Sequence, residues 1–424
     1  MHSEDREQGG GLVAPVTAPA TGAGPRAAAF AFVFITVLLD MLALGVVIPV
    51  LPKLVVDFMG GDTARGSEIY GVFGTAWALM QFLFSPLLGA LSDRFGRRPV
   101  ILISVFGLGL DYVVMALAPS LAWLFVGRVI SGITAAMIPT GFAYVADVTP
   151  PEQRAARFGF LGVAFGAGFV FGPALGGLAG SVDPRLPFWI AAGLSLANAA
   201  YGWFVLPESL PPEKRMAFAW RRANPLGSLT LLRSHRELTG LATVGFLSNL
   251  AHASLPSVMV LYMMYRYGWD ERTVGFIMAA VGICSMIVQG ALIGPAVTQL
   301  GERITLIVGL AFGAAGFFVY GIAAIGHVFL IGLLLMALWG LASPALQGLM
   351  SRRVGDSEQG QLQGANSSLQ GIANLIGPVL FAESFAYAIG AGQAYHLPGV
   401  PFVLAALMLV ASAVVGWWTT RRAV

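Results

Sequence analysis

Charged residues and cysteines are scarce in this sequence of 424 residues. Only 11% of the residues are Asp, Glu, Lys or Arg, whereas 57% are hydrophobic. Soluble domains carry about a quarter charged residues, so water could not solvate the surface of a soluble fold with this composition. The net charge of +3 is too small and too dispersed to indicate a nucleic-acid-binding protein. Cys284 is the single cysteine, which excludes an intramolecular disulfide and a cysteine-based metal site.

Long apolar runs dominate the chain. A helix that crosses a bilayer needs about 20 mostly apolar residues, and twelve runs reach that length. The sequence therefore predicts an all-α polytopic membrane protein with twelve transmembrane helices. These spans, numbered 1 to 12 in chain order, are predicted at residues 28–51, 70–90, 99–118, 121–146, 157–181, 187–206, 238–264, 273–297, 304–323, 327–350, 363–389 and 399–419.

Several sequence signatures of enzymes are missing. There is no Gly-Lys-Ser/Thr triplet of a P-loop, no His-Glu-x-x-His and no Gly-x-Ser-x-Gly. The five histidines are scattered along the chain, so no metal site is predicted. If the protein moves a solute, the energy must come from an ion gradient or from the gradient of the solute itself.

The polar segments predict the domain organisation and the orientation. Residues 1–27 are rich in Gly, Ala, Pro and Thr and predict a disordered cytoplasmic tail. A basic linker at 207–237 separates two six-helix halves, 28–206 and 238–424. With the N-terminus inside, 18 Lys and Arg residues lie on the cytoplasmic side and 5 on the outer side. The positive-inside rule therefore places both termini in the cytoplasm.

The two halves show signs of an internal duplication. The segment GALSDRFG at 89–96 has a counterpart, GPAVTQLG, at 294–301, an offset of 205 residues. The same offset relates four other positions in the first half to identical residues in the second. Two related halves with a site between them are a common plan of transporters. The pairs are Gly159 and Gly364, Gly166 and Gly371, Gly172 and Gly377, and Pro173 and Pro378.

Asp40 is the first candidate for chemistry, because an ionisable residue inside a span costs about 2.5–3.5 kcal/mol near the helix centre. It lies near the middle of span 1, and the sequence suggests no cation beside it. A medium of low dielectric disfavours the charged form of a lone carboxylate. Asp40 is therefore predicted to bind and release a proton.

Three other ionisable residues lie within spans. Asp111 and Arg128 flank the short turn at 119–120, each eight residues from it. In an antiparallel hairpin both then lie about 12 Å from the turn, so they could form a structural or a functional ion pair. Glu383 lies near the far end of span 11, where it could help in proton coupling or face a wet edge.

The loop at 89–99 is compact and strongly charged. Gly89 would allow a close approach of helices, and Gly96 a tight turn. Asp93 among three arginines offers charge-assisted hydrogen bonds at the cytoplasmic mouth. The loop could be a gate or only a positive-inside anchor. The three arginines are Arg94, Arg97 and Arg98.

Two further groups of residues stand out. Glycines at a spacing of four in span 5 predict close helix packing; they are Gly168, Gly172, Gly176 and Gly180, beside Pro173 and Gly177. Polar and aromatic residues within other spans could line a substrate cavity or simply bond across helices. These are Gln81, Asn249, His252, Gln289, Trp339, Gln347 and Asn374.

These motifs together resemble the major facilitator superfamily, and within it the twelve-span tetracycline/proton antiporters. The resemblance covers about residues 35–415 and is denser in the first half. It is carried by Leu38-Leu-Asp40, by SDRFGRRPV at 92–100, by Leu110-Asp-Tyr112, by Gly127-Arg128, by Ala146-Asp147, by GPALGG at 172–177 and by Gly377-Pro378.

The resemblance implies a monomeric proton-coupled drug exporter of the bacterial inner membrane that works by alternating access. Its partners would be protons, lipid and a small amphipathic drug, with no cofactor, although a tetracycline would arrive as a chelate of a divalent metal ion. It assigns the loop at 89–99, with Asp147 as partner, to a cytoplasmic gate. It implies that Asp40, Asp111 and Arg128 take part in proton coupling. It also implies that Gln289 contacts the substrate. The antiporter motif would comprise Gly168, Gly172, Pro173, Gly176 and Gly177.

Two departures from the exporter pattern leave the substrate open. An acid typical of span 9 is replaced by Gly313, and a histidine common in span 8 is replaced by Ser285. An exporter of another drug or metabolite is therefore an alternative. A gradient-independent facilitator and, from another class, a membrane-embedded enzyme or sensor are the others.

Overall fold

The computed structural model describes residues 25–218, 224, 226–234, 236–355 and 358–421, and all regular structure in these residues is helical. Most of the predicted tail and part of the predicted linker lie outside these ranges. The membrane-crossing helices are Pro25–Val47 with Leu51–Phe58 (span 1), Thr63–Phe95 (span 2), Arg97–Leu117 (span 3), Leu121–Thr134 with Met137–Val148 (span 4), Pro151–Gly180 (span 5), Leu186–Val205 (span 6), Arg236–His252 with Ser254–Tyr267 (span 7), Glu271–Ile287 with a π-helical turn at Val288–Leu292 (span 8), Ile293–Ile322 (the end of span 8 and span 9), Gly326–Leu338 with Trp339–Leu341 and Ala342–Ser351 (span 10), Gln359–Ile389 (span 11) and Val400–Arg421 (span 12). Short helices outside the spans are Pro212–Lys214, Gly227–Leu229, Thr230–Ser234 and Gln393–Tyr395.

The predicted number of twelve spans is confirmed once one long helical run is divided. The described residues contain 11 apolar runs long enough to cross a membrane, and one of them, Glu271–Ile322, has 52 residues. At 1.5 Å per residue such a helix would measure about 78 Å, more than twice the hydrocarbon thickness of about 30 Å. Gly301 interrupts it with φ of 76°. The run therefore crosses the membrane twice.

The backbone carries the predicted repeat. Gly96, between spans 2 and 3, has φ of 109°, and Gly301 at the offset of 205 also has a positive φ. A residue with a side chain rarely adopts this conformation, so both turns favour glycine. The tight turn expected at Gly96 is confirmed.

Several helices differ from the predicted runs because polar residues extend or break them. Span 2 starts seven residues early, at Thr63, where the Asp62 side chain accepts a hydrogen bond from Arg65 N at 3.0 Å. Spans 1, 4 and 7 each consist of two helical pieces, and span 10 consists of three. In span 1 the break coincides with Pro49 and Pro52, which cannot donate a backbone hydrogen bond.

Each half has its own apolar core. In the N-terminal half Met115, Leu124 and Phe188 are fully buried, and in the C-terminal half Phe317 and Phe402 are. Large apolar side chains also cover the outside of both halves, as lipid requires. Among those more than half exposed are Ile103, Phe106, Leu334 and Leu407. The halves meet along span 2 with span 11 and span 5 with span 8.

Candidate functional site

The two halves are joined at one end of the bundle. We call the end with the loop 89–99 the inner end and the opposite one the outer end. At the outer end Lys53 Nζ of span 1 lies 2.6 Å from Glu271 Oε1 of span 8. Ser67 of span 2 donates its hydroxyl to the carbonyl oxygen of Ala382 in span 11, at 3.2 Å. The outer end is therefore closed.

Lys53 and Glu271 were missed by the sequence analysis. Lys53 is a single charged residue near the end of span 1, and Glu271 stands between Asp270 and Arg272 at the start of span 8; charged side chains are ordinary at both places. Their pairing depends on how the two halves dock. No local pattern in the sequence predicts this ion pair.

Two cavities lie toward the inner end. The first, of about 430 Å³, lies between spans 2 and 11, around the contact between Phe82 and Gly371. The second, of about 310 Å³, lies inside the C-terminal half among spans 7, 9, 10 and 11. Both are lined by Ser367 and Gln370. The halves thus diverge toward the inner end.

Amide side chains supply most of the polar lining of the two cavities. Of the residues predicted to line a site, Gln81 and Asn374 face the first, and Asn249 and Gln347 the second. No charged side chain lines either cavity within the described part of the chain. Four further amides were missed. Asn224 lies in the linker, and the other three lie on one helical face of span 11: Gln363, Asn366 and Gln370.

Trp339 fills the place of the acid that is absent from span 9. A methyl group on Gly313 would lie 2.7 Å from Trp339 Cγ, so the ring occupies the space over this glycine. The ring centroids of Trp339 and His252 are 5.7 Å apart, and His252 is exposed. Gln289 is exposed on the π-helical turn of span 8. These residues lie outside the lining of the two cavities.

Asp40 is buried inside the N-terminal half. It is 5% exposed, and its Oδ1 has no hydrogen-bond partner among the described residues. Neither cavity is lined by a residue of span 1. The predicted proton-binding carboxyl is thus separate from the amide-lined space.

Asp111 and Arg128 form the predicted ion pair. Arg128 Nη2 lies 2.8 Å from Asp111 Oδ2, and the Asp111 side chain is fully buried. A methyl group on Gly127 would lie 2.5 Å from Asp111 Oδ1, so this glycine makes room for the carboxylate. The equal distances from the turn at 119–120 brought both residues to one depth, as predicted.

Arg97 is the centre of the ion pairs in the loop 89–99. Its guanidinium lies 2.6 Å from Asp93 Oδ1 and 3.1 Å from Asp147 Oδ2. Ser209, just after span 6, donates its hydroxyl to Asp147 Oδ2 at 3.1 Å. Asp93, Arg97 and Asp147 belong to the N-terminal half, and Ser209 belongs to the start of the linker. In this conformation these contacts join spans 2, 3 and 4 to each other.

Glu208 holds the turn at Gly96 in place. Its Oε1 accepts a hydrogen bond from Arg97 N at 2.8 Å, at the start of span 3, where backbone donors lack helical partners. A side chain on Gly96 would collide with this carboxylate. Glu208 was not predicted, because a single acid just after span 6 has no distinctive spacing.

The remaining predicted gate residues have other surroundings. The guanidinium of Arg94 lies over the ring of Phe95, 5.0 Å from its centroid. Arg98 donates to the carbonyl oxygen of Trp203 at 2.6 Å. No described atom lies within 4 Å of the place that a methyl on Gly89 would take. The close helix approach predicted at Gly89 is therefore absent from this conformation.

A second ion pair occupies the equivalent place in the C-terminal half. Arg352 Nη2 lies 3.0 Å from Glu302 Oε1. These positions are offset by 205 residues from Asp147 and Arg97, so the repeat preserves the pair with its charges exchanged.

The glycines of span 5 contact both halves. Gly168, Gly172 and Gly176 pack on span 1, where a methyl on Gly172 would lie 2.7 Å from Gly45 Cα. Gly177 packs on the backbone of Glu271 in span 8. The glycine face therefore packs closely against the part of span 1 that follows Asp40. It also forms part of the contact between the halves.

Gly176→Ala is expected to destabilise the protein by about 1–3 kcal/mol, the usual cost of overpacking, because the new methyl would collide with the carbonyl oxygen of Val46. Gly162→Ala in the same helix is the matched control, since no described atom lies within 4 Å of its methyl position. Thermal unfolding of the two purified variants checks the difference. Equal unfolding temperatures would contradict the packing role of Gly176.

Glu383 is exposed, and within the described residues it has no hydrogen-bond or ion-pair partner. The same part of the chain holds no group of three or more His, Cys, Asp or Glu residues able to bind a metal ion. Of the four residues predicted to take part in proton coupling, Asp40 and the Asp111–Arg128 pair therefore lie inside the N-terminal half, whereas Glu383 is exposed.

Comparisons with known proteins agree with this architecture. The sequence matches the profile of the family described as Major Facilitator Superfamily over residues 33–378 and 241–424. It is 38% identical to the class C tetracycline resistance protein of Escherichia coli, over 83% of this chain and 88% of that protein. It is 32% identical to the class H tetracycline resistance protein of Pasteurella multocida, over 92% of this chain and 96% of that protein.

One solved structure has the same fold at low sequence identity. It is a bacterial homologue of the human lysosomal transporter Spinster, in an inward-facing and unoccupied conformation. The TM-score is 0.74 at 17% identity, and the match covers 94% of this chain and 98% of that one. With its twelve spans, its repeat and these relatives, the chain belongs to the major facilitator superfamily and is a membrane transporter rather than an enzyme.

Proposed function

We propose that this protein exports a tetracycline-class drug across the bacterial inner membrane in exchange for protons, by alternating access. The observation that carries the proposal is Asp40, a buried carboxyl without a hydrogen-bond partner among the described residues. It lies in a chain similar to tetracycline resistance proteins. A buried carboxylate is costly unless it is paired or protonated, so its protonation changes the stability of the conformation around it.

The amide-lined cavities are the proposed drug site. Amide groups donate and accept hydrogen bonds, which suits the oxygen-rich edge of a tetracycline or of its chelate with a divalent metal ion. The lining contains no charged group within the described residues. Drug in the C-terminal half and proton in the N-terminal half can then be bound in different steps of one cycle.

The cycle starts from the conformation with the outer end closed. Drug enters from the cytoplasm, and Asp40 releases its proton on that side. The halves then rock, the pair Lys53–Glu271 separates, and the inner end closes. Facing the acidic outer side, Asp40 takes up a proton as the drug leaves. Protonation removes the cost of a buried charge and allows the return.

The test is tetracycline accumulation in inside-out vesicles with an acidic interior, with and without a protonophore. Accumulation that the protonophore abolishes is the expected result. Vesicles prepared without the protein are the control. No accumulation by protein shown to be inserted would contradict the tetracycline assignment, and accumulation insensitive to the protonophore would point to a facilitator.

The export of another amphipathic drug is the second candidate, favoured by Trp339. Its ring occupies the space above Gly313, where related exporters carry an acid. A flat aromatic surface beside His252 suits an apolar or cationic drug. The same vesicles with a panel of cationic aromatic drugs distinguish the two candidates.

The ion pair Lys53–Glu271 is expected to hold the outer end shut. Lys53→Glu and Glu271→Lys should each open it, because like charges would then face each other across the halves. Spin labels on the outer loops of the two halves report the change as longer distances in pulsed EPR. The double exchange restores opposite charges and is expected to restore the short distances.

Asp57→Asn is the matched control, because Asp57 pairs with Lys53 inside one half, at 3.6 Å. It should leave the distances between the halves unchanged. Unchanged distances in both single charge reversals would show that the pair does not hold the outer end.

A further inference from the structure

Within the described residues, the buried polar side-chain atoms that lack a hydrogen-bond partner all lie in the N-terminal half. Nine buried side-chain nitrogen and oxygen atoms lack a hydrogen-bond partner among the described residues, and all lie between Thr36 and Asn198. The buried hydroxyls of the C-terminal half instead donate to backbone carbonyl oxygens. They belong to Ser254, Ser257, Thr305, Ser368, Ser412 and Thr420.

Seven of these nine atoms belong to spans 1, 3 and 6. Thr36 and Asp40 lie one turn apart on span 1, and Ser195 and Asn198 lie one turn apart on span 6. Ser104 adds a hydroxyl from span 3. Spans 1 and 3 both pack against span 6.

Contacts between spans 3 and 6 fix the relative depth of the groups. Leu102 packs against Gly202, and Leu196 packs against Gly109, so the two helices run antiparallel here. Ser104 and Asn198 both lie in the stretch between these two contacts. They are 0% and 1% exposed.

Span 1 joins the same place. Asn198 Nδ2 donates to the carbonyl oxygen of Thr36 at 3.0 Å, while Asn198 Oδ1 and the Thr36 hydroxyl lack partners among the described residues. Thr36 lies one helical turn from Asp40 on span 1, so the bond from Asn198 brings the polar groups of span 6 close to Asp40.

The chemistry of the cluster fits water. A buried hydroxyl without a partner costs about 1–3 kcal/mol. A Ser or Thr in a helix can avoid that cost by donating to the carbonyl four residues earlier, yet Thr36, Ser104 and Ser195 do not. A buried water needs about two to four polar partners that both donate and accept. Hydroxyls and an amide oxygen provide them.

We propose that spans 1, 3 and 6 enclose a water-binding site formed by Thr36, Ser104, Ser195 and Asn198, and that its water takes the proton from Asp40. The second part rests on the proposed proton-coupled function. The O–H bond of the Asp40 carboxyl breaks, an O–H bond forms on water, and the carboxylate remains. Each hydroxyl on the way accepts one proton and donates another. The proton thereby leaves through the N-terminal half and bypasses the amide-lined cavities.

An experimental density map at high resolution tests the water site whatever the transported solute is. Ordered water within hydrogen-bond distance of Asn198 Oδ1 and Ser104 Oγ is expected. A dry site would overturn the proposal.

The proton step is tested by stopped-flow measurement of proton release when tetracycline is added to the purified protein. Thr36→Val, Ser195→Ala and Asn198→Leu are expected to slow the release by about tenfold or more, since positioned proton-transfer groups contribute about 10²–10⁴-fold. The amplitude and the drug affinity should stay unchanged, whereas a damaged fold would change both. Ser412→Ala, which removes a buried hydroxyl that has a partner in span 7, is the control.

The outcomes separate the two proposals. Release at the wild-type rate in all three variants would overturn the role of the water. If the wild-type protein binds tetracycline and releases no proton, the proposed exchange fails and the role of the water in it fails too. The density map then decides the water site by itself.

Discussion

Asp40→Asn is expected to abolish proton-driven export while the protein stays folded and inserted in the membrane. Asn has nearly the same size as Asp but cannot bind or release a proton. Because Asp40 is 5% exposed and one oxygen has no partner among the described residues, a neutral amide should not lower stability. Tetracycline accumulation in acidic inside-out vesicles should fall to the level of vesicles without the protein, and the unfolding temperature should not fall.

Drug exchange provides an internal control for this variant. Labelled drug should still equilibrate across the membrane down its own gradient, because that movement needs no proton. Glu383→Gln is the matched control, since Glu383 is exposed on span 11, and it should keep most of the accumulation. Full accumulation by Asp40→Asn would refute the assignment. A complete loss in Glu383→Gln would place Glu383 in the coupling, as the sequence suggested.

Arg128→Leu is expected to destabilise the protein by about 3–5 kcal/mol, because it leaves Asp111 as an uncompensated buried charge. Asp111 is fully buried, and Arg128 is 11% exposed, so water can replace little of the lost interaction. The unfolding temperature of the purified protein and the amount inserted in the membrane should both fall.

The double variant Asp111→Asn/Arg128→Gln separates a structural from a functional role of this pair. Removing both charges of a buried pair is often close to neutral for stability, so the fold should recover. We expect transport to remain lost if the pair takes part in proton coupling. Recovery of transport with the fold would show that the pair is only structural. Glu302→Gln/Arg352→Gln is the control, because Arg352 is 76% exposed and such pairs contribute little.

The length of the apolar runs is enough to predict the architecture of this protein. In lipid a backbone must satisfy its own hydrogen bonds, which leaves helices as the solution for long apolar runs. The twelve spans followed directly. The exact ends, such as the start of span 2 at Thr63, and the breaks within spans 1, 4, 7 and 10 escaped prediction. The offset between Gly96 and Gly301 likewise revealed the repeat, because a left-handed turn favours glycine at both places.

One contact inside the membrane could also be predicted from local geometry. Asp111 and Arg128 are equally far from a short turn, so two antiparallel helices bring them to one depth. Span 11 carried a similar signal, of which only Asn374 was predicted. Gln363 and Gln370 recur with Asn374 at helical spacing on one face.

The sequence by itself thus determined the spans, the repeat, the Asp111–Arg128 pair and the isolation of Asp40. Tertiary structure alone decided that Lys53 meets Glu271 and that Trp339 fills the space above Gly313. It also decided that the hydroxyls of Thr36 and Ser104 lack partners among the described residues while those of the C-terminal half have them. The physical reason is the distance along the chain between the residues that interact. Helix formation and hairpin register depend on neighbouring residues, whereas these contacts depend on how helices from distant parts of the chain dock and which way each side chain then points.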